Sequence, residues 1–226
     1  MLGEIPGLEV VSCEITESRL YLKATTARVA GEVKKGDQVQ AGVLISNSEV
    51  GQGSLLVQPL VYRLVCLNGM ISGDPVRRYH VGRQIDSDDA LGVYRDETLV
   101  ADDRAFWFKV RDVVRAAVSE VRFAALVQQL RLTSEGPRLE QPQLGVEELG
   151  RRFHLSEGER DSVLRHLIEG GDLSQYGVLN AVTRASQDVP DYERATELEA
   201  LGGTVLAMDA AQWRTLAGAQ SGERRS

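Results

Sequence analysis

Between residues 8 and 85 the apolar positions of the chain recur every second residue. RLYLKA sets Leu20, Leu22 and Ala24 on one side, and QVQAGVLI does the same with Val39, Ala41, Val43 and Ile45. A period of two belongs to a strand with one buried face. Lys34-Lys35-Gly36-Asp37 is a polar turn signal between these two runs. SNSEVGQGS reads as a loop. LLVQPLVYRLVC reads as a longer strand in which Pro59, lacking an N–H for the ladder, marks a break, a bulge or an edge. Asn68-Gly69 and Gly73-Asp74-Pro75 are turn signals expected to fold Val76–Val81 back beside the preceding strand as a hairpin.

The period then changes. From Asp102 or Asp103 to about Leu132 the pattern is that of one long helix, with the two carboxylates at the positive end of its dipole. At 100° per residue, Phe106, Val110, Val113, Ala117 and Val121 form one face, with Trp107, Val114 and Val118 next to it. Gly136, Pro137 and Pro142 mark a linker over 134–143. Beyond it VEELGRRF, EGERDSVLRHLIE, QYGVLNAVTRASQ and DYERATELEALGG read as helices, with Gly170-Gly171 and Gly202-Gly203 as stops. TVLAM reads as a short last strand, followed by AAQWRTLAG and a frayed tail over 218–226. The expected fold is therefore α+β. An N-terminal antiparallel β-meander packs on a long helix over 1–133, and a helical region with a short strand follows over 144–217.

Composition narrows the chemistry. Hydrophobic residues make up 42% of the 226 and charged residues 26%, but aromatic residues only 5%, so the core rests on Val, Leu and Ala. A net charge of -7 argues against a surface that is basic all round, while leaving room for a local basic groove. Cys13, Cys66 and the three histidines, His80, His154 and His166, form no zinc-type spacing. No phosphate loop or carboxylate dyad is present, so neither a metal nor an organic cofactor is expected. No apolar run approaches the roughly 20 residues that span a bilayer. MLGEIPGLEV does not have the pattern of a signal peptide. A cytoplasmic protein is expected.

Three motifs carry chemistry only weakly. Cys66, His80 and Asn68 offer a thiol, an imidazole and an amide, but Cys66 reads as part of an apolar strand and Asn68-Gly69 as a hairpin turn. Ser46-Asn47-Ser48-Glu49 has one carboxylate, fewer than a hard cation normally takes, and reads as a self-bonded loop. VEELGRRFHLSEGERDSVLRHL has the outline of a helix-turn-helix. Its second helix opens on Ser156-Glu157-Gly158-Glu159, which phosphates would repel.

GVLISNSEVGQGSLLVQPLVYRLVCLNGM, RRYH, QYGVLNAVTRAS and DYERATELEALGGTVL together resemble the phage/plasmid-like family numbered 932 among domains of unknown function. The likeness runs from about Asp37 to Ala207, and RLVCLNGM is its most specific part. It implies a setting in phages and mobile elements, and so in DNA replication, recombination or counter-defence.

Two arginine groups stand out beside this likeness. Arg63, Arg77, Arg78 and Arg83, with His80, lie within about twenty residues, opposed only by Asp74 and flanked by Tyr62 and Tyr79. On the long helix Arg104, Arg111, Arg115 and Arg122 fall within about 20° of one direction, a stripe about 27 Å long opposite the apolar face. Phe108 lies on the arginine side. Phosphate suits the planar guanidinium fork and bases suit the rings. The expected function is binding or annealing of single-stranded DNA by a non-enzymatic homo-oligomer. The alternative is an oligomeric protein-interaction module that uses the stripe against an acidic protein or a neighbouring protomer.

Overall fold

The computed structural model describes residues 7–17, 19–47, 54–73, 76–79 and 96–218. Six strands lead the fold, β1 (Leu8–Ile15), β2 (Leu20–Lys34), β3 (Asp37–Asn47), β4 (Ser54–Arg63), β5 (Asn68–Ile71) and β6 (Val76–Tyr79). All pair antiparallel with their neighbours, in the order β1-β2-β3-β4. The turn between β2 and β3 is the predicted one. Lys34 lies opposite Asp37, and Gly36 takes φ +83, a left-handed conformation that glycine adopts without a Cβ penalty.

The far side of β4 departs from expectation. β5 pairs with Leu60–Arg63 and β6 with Ser54–Val57. Pro59 sits where the neighbour changes. It has no N–H to leave unbonded there, and its carbonyl accepts from the Ser72 N–H at 3.0 Å. The strand stays continuous opposite β3, so proline breaks its partner and not the strand itself. The turn before β5 is Leu64–Leu67, with Leu67 at φ 52, and it contains Cys66. Asn68-Gly69, expected as the turn, lies inside β5, and Cys66, expected in a strand, lies in the turn.

Seven helices complete the described chain: α1 (Asp96–Ala117), α2 (Glu120–Glu135), α3 (Pro142–Phe153), α4 (Glu157–Gly170), α5 (Gln175–Ala185), α6 (Tyr192–Ala207) and α7 (Ala210–Ala217). The single long helix expected from the pattern is therefore two, starting earlier and broken at Val118–Ser119. Ser119 is extended at φ -74, ψ 117 and stands at the N-cap position of α2 without a side-chain capping bond, and the first residue of α2 is the dipole-favoured Glu120. TVLAM is not a strand, since Thr204–Ala207 are the last turn of α6 and Gly202-Gly203 lie within that helix. α4 has the reciprocal capping box of Ser156 and Glu159 and ends on left-handed Gly171. No helix among the described residues is long and apolar enough to cross a membrane.

Successive strand residues face opposite sides of the sheet, and both sides are covered. On one side Ala24, Val43 and Val57 meet Phe106, Val110 and Val114 of α1, forming a small cluster. Along the same side Val39, Ala41, Val61 and Met70 join Phe123, Val127 and Leu130 of α2. This large cluster continues into α3–α7 through Leu149, Leu167, Val182, Leu198 and Trp213. On the opposite side Leu44, Leu60 and Ile71 meet Ala200 of α6.

Candidate functional site

α1 owes its orientation to the spacing of its large apolar residues. Phe106, Val110 and Val114, four apart, are buried against the sheet, and Val113 and Ala117 are half-buried beside them. Burying that stripe turns the opposite flank outward. There Arg104 and Arg111 sit one turn before and one turn after Phe108. Their guanidinium carbons lie 5.4 and 4.8 Å from its ring centroid. Each such contact contributes about 0.5–1 kcal/mol at an exposed site. Phe108 remains 41% exposed and Trp107, next to it, 51%. Arg115 is exposed one turn further on. Among the described residues no carboxylate forms an ion pair with Arg104, Arg111 or Arg115. Arg111 Nε is buried without a hydrogen-bond partner.

The other residues of the expected site are distributed differently. Arg122 is exposed on α2, beyond the break, so it does not continue the α1 stripe. The stripe from Arg104 to Arg115 measures about 16 Å. Arg77 and Arg78 are on β6, opposite Leu56 and Leu55. That puts them about 25 Å along β4 from Arg63, where the sequence pattern had made them neighbours. His80, Arg83, Ser48 and Glu49 lie outside the described residues, as does the tail from 219.

Arg63 is committed inside the protein. Its Nε and Nη2 donate to the two carboxylate oxygens of Asp37 at 2.6 and 2.8 Å, and its Nη1 to Cys66 Sγ at 3.0 Å. Tyr176 of α5 donates its hydroxyl to Asp37 Oδ2 at 2.8 Å. Burial works against the Arg63 charge, but the bonds to Asp37 outweigh it and its pKa rises. Burial, reinforced by the Asp37 charge, also pushes the Tyr176 hydroxyl up. Arg63, Asp37 and Tyr176 thus join β3 and β4 to α5.

This cluster floors a cleft of about 450 Å³ between the β2–β3 turn, the β4–β5 turn, the end of α4 and α5. Cys66 and His166 both line it. Its polar groups are largely engaged: Lys34 pairs with Asp172 at 2.6 Å, and His166 Nε2 lies 2.8 Å from Asp188, outside the lining. Arg184 and Gln187 donate to the Cys66 carbonyl, fixing the turn. Asn68, only 3% exposed, donates to Thr183 and is part of the core. It presents no amide to a thiol mechanism. No group of three or more His, Cys, Asp or Glu that could hold a metal ion exists among the described residues.

Sequence reasoning missed Trp107, placing it beside the buried stripe. Its position was legible, since residue 107 lies 100° from Phe106 around the helix. Burial fades at that flank, and the indole emerges beside Arg104 and Arg111, three residues before and four after it.

A family model described as "Domain of unknown function (DUF932)" matches residues 11–208. No curated protein and no solved structure matches the chain.

Proposed function

The chain belongs to the DUF932 family, whose description states no activity, and from that premise we propose that it binds single-stranded DNA through the outward flank of α1. The observation that carries this reading is Phe108, half-exposed and faced by two guanidiniums that no described carboxylate neutralises. Arginines held on a rigid helix supply the forks for phosphate, and exposed rings supply faces for bases. The acidic net charge confines binding to this local surface. On this reading the protein serves annealing in replication or recombination of mobile DNA, in the cytoplasm, where its two free thiols, Cys13 and Cys66, stay reduced.

The experiment is a titration of a labelled single-stranded oligonucleotide, followed by anisotropy at two salt concentrations. Wild type is expected to bind with a log–log salt slope of about -0.7 per phosphate neutralised. Arg104→Glu with Arg115→Glu, at two exposed side chains, is expected to weaken binding and flatten the slope with the fold unchanged, and Arg111→Glu, whose Nε is buried, is read together with its circular dichroism. Negligible wild-type binding, or a double mutant equal to wild type, would overturn the proposal.

A further inference from the structure

We infer that Trp107 is the base-stacking platform of this surface, and that Phe108 serves instead to hold the two arginines. The inference rests on the single-stranded DNA reading above and assigns the roles within it. Phe108 already has its neighbours: Arg104 and Arg111 approach its ring from the turn before and the turn after. A base reaching for that ring must first displace a guanidinium and forfeit its cation–π attraction.

Trp107 is differently placed. It is the more exposed of the two rings, and it meets the ring of Phe106 at 5.3 Å between centroids. The planes meet at 65°, so Phe106 braces the indole without stacking on it. Phe106 itself is buried in the α1–sheet cluster, which anchors the brace to the fold. Helix geometry makes Arg104 and Arg111 the i-3 and i+4 neighbours of Trp107. A base stacked on the indole therefore carries its phosphates to the arginines that Phe108 holds. Every base has a π-face, so the platform is indifferent to sequence. It does require bases free of a duplex, which makes the ligand a single strand, taken as DNA from the reading above.

The chain has two tryptophans, which gives the test its own control. Trp213 is 2% exposed and donates Nε1–H to the Pro137 carbonyl at 2.8 Å, out of reach of a ligand in solution. Unlabelled oligothymidylate is titrated while tryptophan emission is read, and affinity is measured separately by anisotropy of a labelled strand. Wild-type emission is expected to fall on binding, and Trp107→Phe to lose that quench. Trp107→Ala is expected to bind roughly 5- to 150-fold more weakly, the range for one base–aromatic stack. A duplex of equal length is expected to leave the emission unchanged. Binding by anisotropy with no quench, and with Trp107→Ala equal to wild type, would overturn the stacking role while leaving the DNA reading in place. Equal quenching by duplex would overturn the requirement for a single strand. Absence of any binding would remove both.

Discussion

Lys23 on β2 and Glu199 on α6, far apart in the chain, meet at 2.6 Å with both side chains almost fully buried. The pair ties the outer side of the sheet to the helical half of the molecule. Glu199 Oε2 has no hydrogen-bond partner, so Lys23 is its main compensation. Removing one member of such a pair strands the other in the interior. Lys23→Met is expected to destabilise the fold by about 3–5 kcal/mol in urea unfolding, whereas Lys23→Met with Glu199→Leu should recover most of the loss. A single mutant costing under about 1 kcal/mol would show that water reaches the pair.

Glu159 predicts an acid-sensitive helix start. Hydrogen bonds from Arg194 and from Ser156 hold its carboxyl down from 4.5 to about 2. A carboxyl depressed in the folded state stabilises the fold fully above its unfolded pKa. That contribution fades as pH falls from about 4.5 through about 2. Wild type is expected to lose stability across that window. Glu159→Gln should be less stable at pH 7 by about 2 kcal/mol, the scale of a charge-assisted bond, and flatter with pH. Thermal unfolding followed from pH 7 to pH 2 decides it, and parallel curves would refute the assignment.

Two glycines predict shifts of opposite sign. A Cβ on Gly203 would lie 2.1 Å from the Ile71 carbonyl oxygen, a backbone atom that cannot turn aside. Gly203→Ala should therefore push α6 off β5 and cost about 1–3 kcal/mol. Gly158, in the first turn of α4, has nothing within 4 Å of such a Cβ. Gly158→Ala should stabilise by about 0.4–1 kcal/mol by restricting the unfolded chain. Melting temperatures moving in the same direction would contradict this.

Self-association is expected through β1. That strand pairs only with β2 among the described residues, and Val10, Val11 and Ile15 are exposed on it. A strand edge unpaired among the described residues, with apolar side chains exposed along it, is a template for a second copy. Light scattering at micromolar concentration should give a mass above the 24.8 kDa of one chain, and Val11→Pro should reduce it. A single-chain mass for wild type would count against assembly.

Where local pattern and tertiary packing agreed, the sequence was readable. The β2–β3 hairpin arises from period-two alternation and Gly36, and the seating of α1 from Phe106, Val110 and Val114. Misreadings arose where packing overrode a local preference. Asn68-Gly69 has turn chemistry, but Asn68 is drawn into a bond with Thr183 and Gly69 packs under Leu60. Gly202-Gly203 resembles a helix stop, yet those residues are small because α6 presses on Thr183 and on the β5 backbone. The break at Val118–Ser119 carries no glycine or proline, only the serine at the start of α2. At the candidate site, periodicity located the arginine flank but not the exposure of Trp107, which depends on how far the sheet extends beneath α1.

The two apolar clusters on that side of the sheet also divide the fold energetically. α1 is seated by Phe106, Val110 and Val114, each contributing roughly 1.5–3 kcal/mol, with Val113 and Ala117 half-buried beside them, while α2 shares the large cluster with α3–α7. The break at Val118–Ser119 removes the continuous hydrogen-bonded rod that would otherwise make both helices open together. Amide protons of α1 should then exchange through a partial opening that leaves those of α2 and α5 protected. On the proposed reading, exchange confined to α1 would mean that the helix presenting the arginines opens as a unit without drawing on the stability of the rest of the molecule.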